Sequence, residues 1–445
     1  MDIYKYLGKE FKCDYCGRRH KIGIKFIERG KVEEISEILK KYLPQKNKIL
    51  ILSDNITYEV AGKKIENILG KVGSVKSVIL NPEGEKRVTA QEKYLGQIEK
   101  KLSDEKIIIT VGTGTITDFG KITGNKFNIP VVCFPTAASM NAYTSPVAAY
   151  IKKGVKFTIS VKSAEGIFMD FDTIKNAPYE LTKSGFADSL AKSFANTDWK
   201  ISSIITGEYF CSLPYKIVSE AEKKYIDKGK LIKKKDKKTI EYLMEGLNLG
   251  GISMALAGKS SPASGGEHLI SHFLDMYAHQ NSQEIFNFHG IQVASGIYIS
   301  SLLYDEIKDL NSYQIKKMIE KNKINYSEKF EKLINYFPSG KEILRKEFEN
   351  KMKNLKFLRE KLSEKWREIK ENAFQMTIPS EKIKKIFEEA DIPFYLKDIG
   401  VDEKLASDNI TLARFIRNRI TILDIADEIG ILESFVKRYI KGNLK

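Results

Sequence analysis

The 445-residue chain has only five histidines: His20, His268, His272, His279 and His289. His268 and His272 are four residues apart in EHLISH, and His289 opens an HG pair soon after. The i, i+4 spacing puts both imidazoles on one helix face, about one turn apart. Imidazoles joined by a carboxylate are the usual ligands of a catalytic zinc that keeps one position open for substrate. Two surface or helix-capping histidines would show the same spacing. The glycines in Ser264-Gly265-Gly266 and His289-Gly290 allow tight backbone packing and favour the metal reading. Asp188, in GFADSL at the start of a helix-like stretch running to Trp199, reads on local grounds as a cap or a first-turn acid.

Two further motifs follow apolar runs. Gly112-Thr113-Gly114-Thr115-Ile116-Thr117-Asp118 comes directly after IIITV and opens a helix-like stretch. Glycines let a backbone approach a pyrophosphate, and a helix N-terminus supplies N–H groups and partial positive charge. Thr117 stands where GxGxxG would have its third glycine, so the standard dinucleotide fingerprint is absent, and a tight strand-to-helix turn is the competing reading. The second motif, PTAASMNAYTSP from Pro135 to Pro146, puts small hydroxyl residues after PVVCF, where open α/β sheets bind ligands. By itself it reads as a plain polar loop. Cys13-Asp14-Tyr15-Cys16 with His20 looks like part of a zinc knuckle, but a structural zinc needs four ligands and no fourth is near in sequence, so a turn in a small N-terminal hairpin is the expectation.

These motifs need elements to position them. KILILS (48–53), Val75–Leu80, IIITV (107–111) and PVVCF (130–134) are short apolar runs separated by helix-like stretches, among them Ala90–Leu102. That alternation predicts parallel strands buried on both faces in a nucleotide-binding sheet. A hairpin is expected between Val147 and Met169. Beyond about Ile174 strand signals give way to helical periodicity through to Lys445, and residues 305–375 read as a charged helical elaboration. A core stops growing near ~250–300 residues, so two domains are expected: residues 1–172, α/β and dinucleotide-binding, and residues 173–445, helical, binding metal and substrate.

The net charge of +16 raises the question of nucleic acid, but the lysines are spread along the chain and interleave with glutamate in helical stretches such as LREKLSEKWREIKENA. They read as solvated faces, with a positive field suited to a phosphorylated substrate. No run approaches the ~18 apolar residues of a membrane span, and four cysteines are too few for a disulfide framework. A cytoplasmic setting is expected, without nucleic-acid or membrane partners.

The segments ILSDNITYEVAG, GTGTITD, PTAASMNAYTSP, GFADSLAKSFANTDW, KSSPASGGEHLISH and HGIQV, in this order, resemble the motifs VxDxNTYxxxG, GxGTIxD, PTAxSxDGYxS, GxGDxxxKxxAxxDW, SSRPASGSEHxxSH and HGxxV of sn-glycerol-1-phosphate dehydrogenases, members of the iron-alcohol-dehydrogenase and dehydroquinate-synthase-like group. The matches run from about residue 10 to FIRNRITILDIADEIGIL near the C-terminus.

The resemblance implies a dehydroquinate synthase-like fold: an α/β nucleotide-binding domain and an all-α domain. It implies metal ligands at Asp188, His268 and His289, and a divalent zinc, nickel or iron. It implies contacts to NAD or NADP from Asp54, near the adenosine ribose, and from Gly112, Gly114, Thr115, Ile116, Thr117, Asp118, Thr136, Ala137, Ala138, Ser139 and Ser145. His272, Asn141 and Lys259 would act on the substrate. The implied reaction interconverts dihydroxyacetone phosphate and sn-glycerol 1-phosphate for phospholipid or ether-lipid synthesis, by a homodimer. Three positions depart from the family pattern: Asn141 replaces an aspartate, Ser261 an arginine with Lys259 nearby as a cationic substitute, and Ala187 a glycine. The first two bear on which substrate is bound. A polyol or alcohol dehydrogenase, or a dehydroquinate-synthase-like enzyme, is the alternative.

Overall fold

The computed structural model describes residues 2–44 and 47–442; residue 1 and residues 443–445, at the ends of the two expected domains, lie outside it. Strands β1 (Glu10–Lys12) and β2 (Arg19–Lys21) form the expected antiparallel N-terminal hairpin. Six strands then build one sheet: β3 (Phe26–Arg29), β4 (Lys48–Asp54), β5 (Ser74–Leu80), β6 (Ile107–Gly112), β7 (Val131–Pro135) and, after the two-stranded sheet of β8 (Val147–Lys152) and β9 (Val155–Ser160), β10 (Gly166–Met169). The spatial order is β3-β10-β7-β6-β4-β5, with every neighbouring pair parallel. All six residues of β6 are buried, which is why its sequence is continuously apolar rather than alternating. Helices α1 (Ile35–Tyr42), α2 (Lys63–Leu69), α3 (Glu92–Lys100) and α4 (Gly114–Phe127) lie between successive strands. Ile35 and Leu39 of α1 and Ile65 and Leu69 of α2 join Ile49, Ile51, Ile107, Ile109 and Phe134 in one apolar core. Strand β3 was not expected, and β10, inside the Val147–Met169 stretch where a hairpin was expected, joins the large sheet instead. Both have only four residues and β3 is half exposed, so neither leaves a distinct apolar run.

Chain order reverses between β4 and β6: β5 lies on one side of β4, and β6 and β7 on the other. Such a switch point opens a crevice at the carboxyl ends of the strands. Asp54 ends β4, and Gly112 ends β6 beside Pro135 of β7.

Past β10 the described residues form helices and turns only. They include α5 (Tyr179–Thr206), α6 (Ser212–Glu222), α7 (Lys237–Ala257), α8 (Gly266–Gln280), α9 (His289–Ile307), α10 (Lys341–Asn372), α11 (Glu403–Leu412) and α12 (Ile422–Glu428). The chain packs as two compact units: one of Met1–Lys152, Lys156–Ser189 and Ser212–Ser260, the other of Lys153–Val155, Leu190–Cys211 and Ser261–Lys445. The first unit therefore runs on past residue 172, because α7 packs against β2 and the helix Phe171–Asn176. The division falls inside α5, which is unbroken there.

In the second unit α8 and α9 pack at very short range. A β-carbon on Gly296 of α9 would stand 2.2 Å from the Glu267 carbonyl oxygen of α8, so only glycine permits this approach. The charged stretch 305–375 contributes a buried residue, Lys351 of α10, whose ammonium is 2.6 Å from Asp424 of α12. Asp424 also accepts from Arg414 at 2.9 Å, and Arg414 reaches Asp427 and Glu428 as well. No helix among the described residues is long and apolar enough to cross a membrane.

Candidate active site

Asp188 lies in the middle of α5, well past its first turn, and is buried; this excludes the cap reading. His268 and His272 are buried on α8, which excludes the surface reading. His289 opens α9. Asp188, His268 and His289 each offer a ligand atom, and the three atoms lie within 4.8 Å of one another. The His268 and His289 rings are 5.2 Å apart between centroids, and His272 lies 5.9 Å from the first and 6.0 Å from the second. One carboxylate and two imidazoles gathered in a buried place form a donor set that suits a divalent zinc-like ion with a position to spare.

The surroundings orient the rings. His268 Nδ1 is 2.8 Å from Glu267 Oε1, and a carboxylate only accepts, so Nδ1 carries the proton and Nε2 has the lone pair. His289 Nδ1 is 3.2 Å from Ser271 Oγ. Ligating histidines are commonly fixed this way through the other ring nitrogen. Glu267 also accepts from the Gly265 N–H at 2.7 Å. Asp198, ten residues after Asp188 on α5, anchors the start of α8: it accepts from the Gly266 N–H at 2.7 Å, the Ile422 N–H at 2.9 Å and the Tyr304 hydroxyl at 2.6 Å. Burial, then the nearby Glu267 carboxylate, pushes the Asp198 carboxyl up to about 8. Neither Glu267 nor Ser271 was singled out from sequence, although Glu267 immediately precedes a candidate ligand and Ser271 shares its helix.

The expected cofactor residues gather at the carboxyl ends of β4, β6 and β7. Thr113 caps α4 without a side-chain hydrogen bond, so the first-turn amides of the Gly114–Thr117 stretch are not closed off by a cap side chain. A β-carbon on Gly114 would fall 1.6 Å from Met140 Sδ, so the turn is a cradle now covered by a flexible side chain. The Thr136 N–H donates to the Gly112 carbonyl at 3.2 Å, tying the two loops together. These features fit a bound phosphate group. Ala137, Ala138 and Ser139 are buried in the second loop, and Ile116 and Thr117 in α4; Thr115 is half-buried.

Three expected contacts are engaged by protein groups. Asp54 accepts from the Thr57 N–H at 2.7 Å as a helix cap. Asp118 pairs with Lys121 at 3.0 Å and accepts from the Ala149 N–H at 2.9 Å; burial raises its carboxyl pKa. The Ser145 hydroxyl meets Lys121 Nζ at 2.9 Å. Lys121, which sequence reasoning missed, is buried in α4 and donates to the Ala142 and Val147 carbonyls at 2.8 and 2.6 Å, stapling the loop that carries Asn141. Asn141 and Lys259 are half-buried in the first unit. That loop also touches the helix bearing Asp188. A β-carbon on Gly185 would stand 2.0 Å from the Ala138 carbonyl oxygen, so this first glycine of the motif is a packing requirement, whereas Ala187 is simply buried.

The fold and these motifs define a class. The family of iron-containing alcohol dehydrogenases matches residues 26–178. Solved structures agree in fold: glycerol dehydrogenase from Schizosaccharomyces pombe superposes with a TM-score of 0.59 at 17% identity, covering 94% of this chain and 91% of that one. An iron-containing alcohol dehydrogenase from Thermococcus thioreducens gives 0.56 at 14% identity, covering 94% and 98%. Among curated relatives, the glycerol-1-phosphate dehydrogenase [NAD(P)+] of Halalkalibacterium halodurans is 31% identical over 338 residues, 74% of this chain and 84% of that protein. The enzyme of the same name from Thermococcus sibiricus is 30% identical over 272 residues, 61% and 75%. The chain belongs to the glycerol-1-phosphate dehydrogenase family, and with it to the NAD(P)-dependent oxidoreductases.

Proposed function

We propose that this enzyme interconverts dihydroxyacetone phosphate and sn-glycerol 1-phosphate, using NAD or NADP and one divalent metal held by Asp188, His268 and His289. The observation that carries the reading is the meeting of those three ligand atoms within 4.8 Å, with both histidine Nδ1 atoms already engaged. When bound, the metal (zinc, nickel or iron) supplies Lewis-acid stabilisation of the charge developing on the reacting oxygen, and the nicotinamide supplies the hydride. The protein's residues do the rest. Glu267 and Ser271 hold the imidazoles in register. The start of α4, with Gly112 and Gly114, cradles the cofactor pyrophosphate, and the Thr136–Ser139 loop and Ser145 line its site, with Asp54 toward the ribose. His272, beside the ligands, moves the substrate hydroxyl proton to or from solvent. Asn141 hydrogen-bonds a substrate hydroxyl, and the Lys259 ammonium, in place of the family's arginine, meets the phosphate. The product would feed glycerophospholipid or ether-lipid synthesis in the cytoplasm, from a homodimer.

The test is a panel assay of purified protein with both reduced cofactors, several divalent metals, and phosphorylated and plain ketones. The expected result is highest kcat/KM with dihydroxyacetone phosphate, abolished by chelation and restored by metal. Preference for a plain ketone would overturn the substrate, and the replacements at Asn141 and Ser261 would then mark a polyol or alcohol dehydrogenase.

A further inference from the structure

A second group of metal-ligating side chains lies away from the residues above. Cys13, Cys16, His20 and Cys211 each offer one ligand atom, and all four atoms lie within 4.8 Å of one another. None of the four cysteines takes part in a disulfide. The first two follow β1 in a tight turn in which the Gly17 N–H donates to the Cys13 carbonyl at 2.8 Å and the Cys13 N–H to the Arg18 carbonyl at 2.9 Å. His20 sits in β2 opposite Phe11, which turns its ring back toward the loop, where Nε2 is 3.3 Å from Cys16 Sγ. The His20 ring also hydrogen-bonds the Leu256 backbone of α7, an arrangement that fixes a ligating imidazole. Cys211 is the residue immediately before α6. That helix is held at the cysteine turn by Lys216, whose ammonium lies 3.3 Å from the Tyr15 hydroxyl and 4.7 Å from its ring centre. Cys13, His20 and Cys211 are buried, and Cys16 is half-buried.

We propose that Cys13, Cys16, His20 and Cys211 bind a structural zinc ion that ties the β1–β2 hairpin to the start of α6. Three thiolates and one imidazole complete a tetrahedral shell with no position open for substrate, which makes the site structural rather than catalytic. With Zn–S of ~2.3 Å and Zn–N of ~2.0–2.1 Å, tetrahedral ligand atoms stand roughly 3.5–3.8 Å apart, so the observed cluster needs only a small contraction to close. Binding requires deprotonated thiols and so releases protons. Because the ligands come from segments far apart in sequence, the ion holds together what the chain entropy of the unfolded state would separate.

Sulfur ligands make the test independent of the proposed active site, whose three ligands carry none. The full-length protein is stripped of metal, loaded with cobalt(II) and examined by absorption; the expected result is an intense thiolate-to-cobalt charge-transfer band. In parallel, zinc is counted in the Asp188→Ala variant, which is expected to retain one ion per chain, and in Cys16→Ser and Cys211→Ser, which are expected to lose that ion and melt at lower temperature. A cobalt-loaded wild-type protein without the charge-transfer band, or an Asp188→Ala protein purified without zinc and unable to take it up, overturns the proposal. The spectrum of the wild-type chain decides the matter even if a cysteine variant fails to fold.

Discussion

Glu267 offers the sharpest probe of how the protein holds its proposed metal. Its carboxylate is buried, 2.8 Å from His268 Nδ1, and also accepts from the Gly265 N–H at 2.7 Å. Glu267→Gln keeps the shape and an accepting oxygen but removes the charge. A hydrogen bond to a charged group contributes ~1.5–3 kcal/mol against ~1 for a neutral one, so the His268 contact should weaken by about 0.5–2 kcal/mol. Loss of such an outer partner costs roughly 10–100-fold in metal affinity elsewhere, and about tenfold, or ~1.4 kcal/mol, is the expectation here. The metal-free fold should respond in the opposite sense. Glu267 is one of the causes that push the Asp198 carboxyl up to about 8, and neutralising it relieves that repulsion. Competition with a chelator of known affinity measures the metal constant, and thermal unfolding of the stripped protein measures the fold. An affinity within about threefold of wild type would refute the orienting role. A metal-free melting temperature that falls with the affinity would show that Glu267 serves packing instead.

Three further outcomes are expected. Gly185→Ala puts a β-carbon 2.0 Å from the Ala138 carbonyl oxygen, a clash with backbone that only separation of α5 from the loop can relieve; urea unfolding should show a loss of at least ~1–3 kcal/mol, with weaker cofactor binding by titration. Burial lowers the Lys351 ammonium to about 8, from 10.5 in the unfolded chain, against the opposing pull of Asp424. The unfolded state therefore binds the extra proton between about pH 8 and 10.5, and the stability of wild type relative to Lys351→Met should climb with pH across that window and stay flat at its lower level below about pH 8, where both states are protonated, measured by denaturant unfolding at each pH. Asn141→Asp should change the ratio of kcat/KM between phosphorylated and plain ketones several-fold, because an aspartate cannot donate to the substrate and repels its phosphate; an unchanged ratio would show that position 141 does not read the substrate.

Much of the nucleotide-binding sheet was legible from local pattern. Strands β4, β6 and β7 are buried on both faces or nearly so, and burial on both faces forces the continuous apolar runs seen at Ile107–Val111 and Val131–Phe134. The glycine turn after β6 and the hydroxyl loop after β7 stand out because they interrupt such runs. The i, i+4 histidines declare a shared helix face from their spacing alone. Motif order over most of the chain carried the family.

Other features depend on contacts between segments distant in sequence and leave no local trace. Strands β3 and β10 are four residues each, and only pairing with one another, and of β10 with β7, makes them strands. That Asp188 is a buried mid-helix carboxylate rather than a cap depends on where α5 begins, at Tyr179, and the nearness of His268 to His289 depends on α8 and α9 packing so closely that Gly296 admits no side chain. Cys211 lies almost two hundred residues beyond the cysteine turn, and spacing cannot pair them; the seating of α6 on Tyr15 does. The sequence determined which residue types were available for chemistry, because composition and local period are properties of the chain. Only the tertiary structure decided which of them meet, because ligand geometry is set by the close packing of elements whose separation along the chain carries no information about their separation in space.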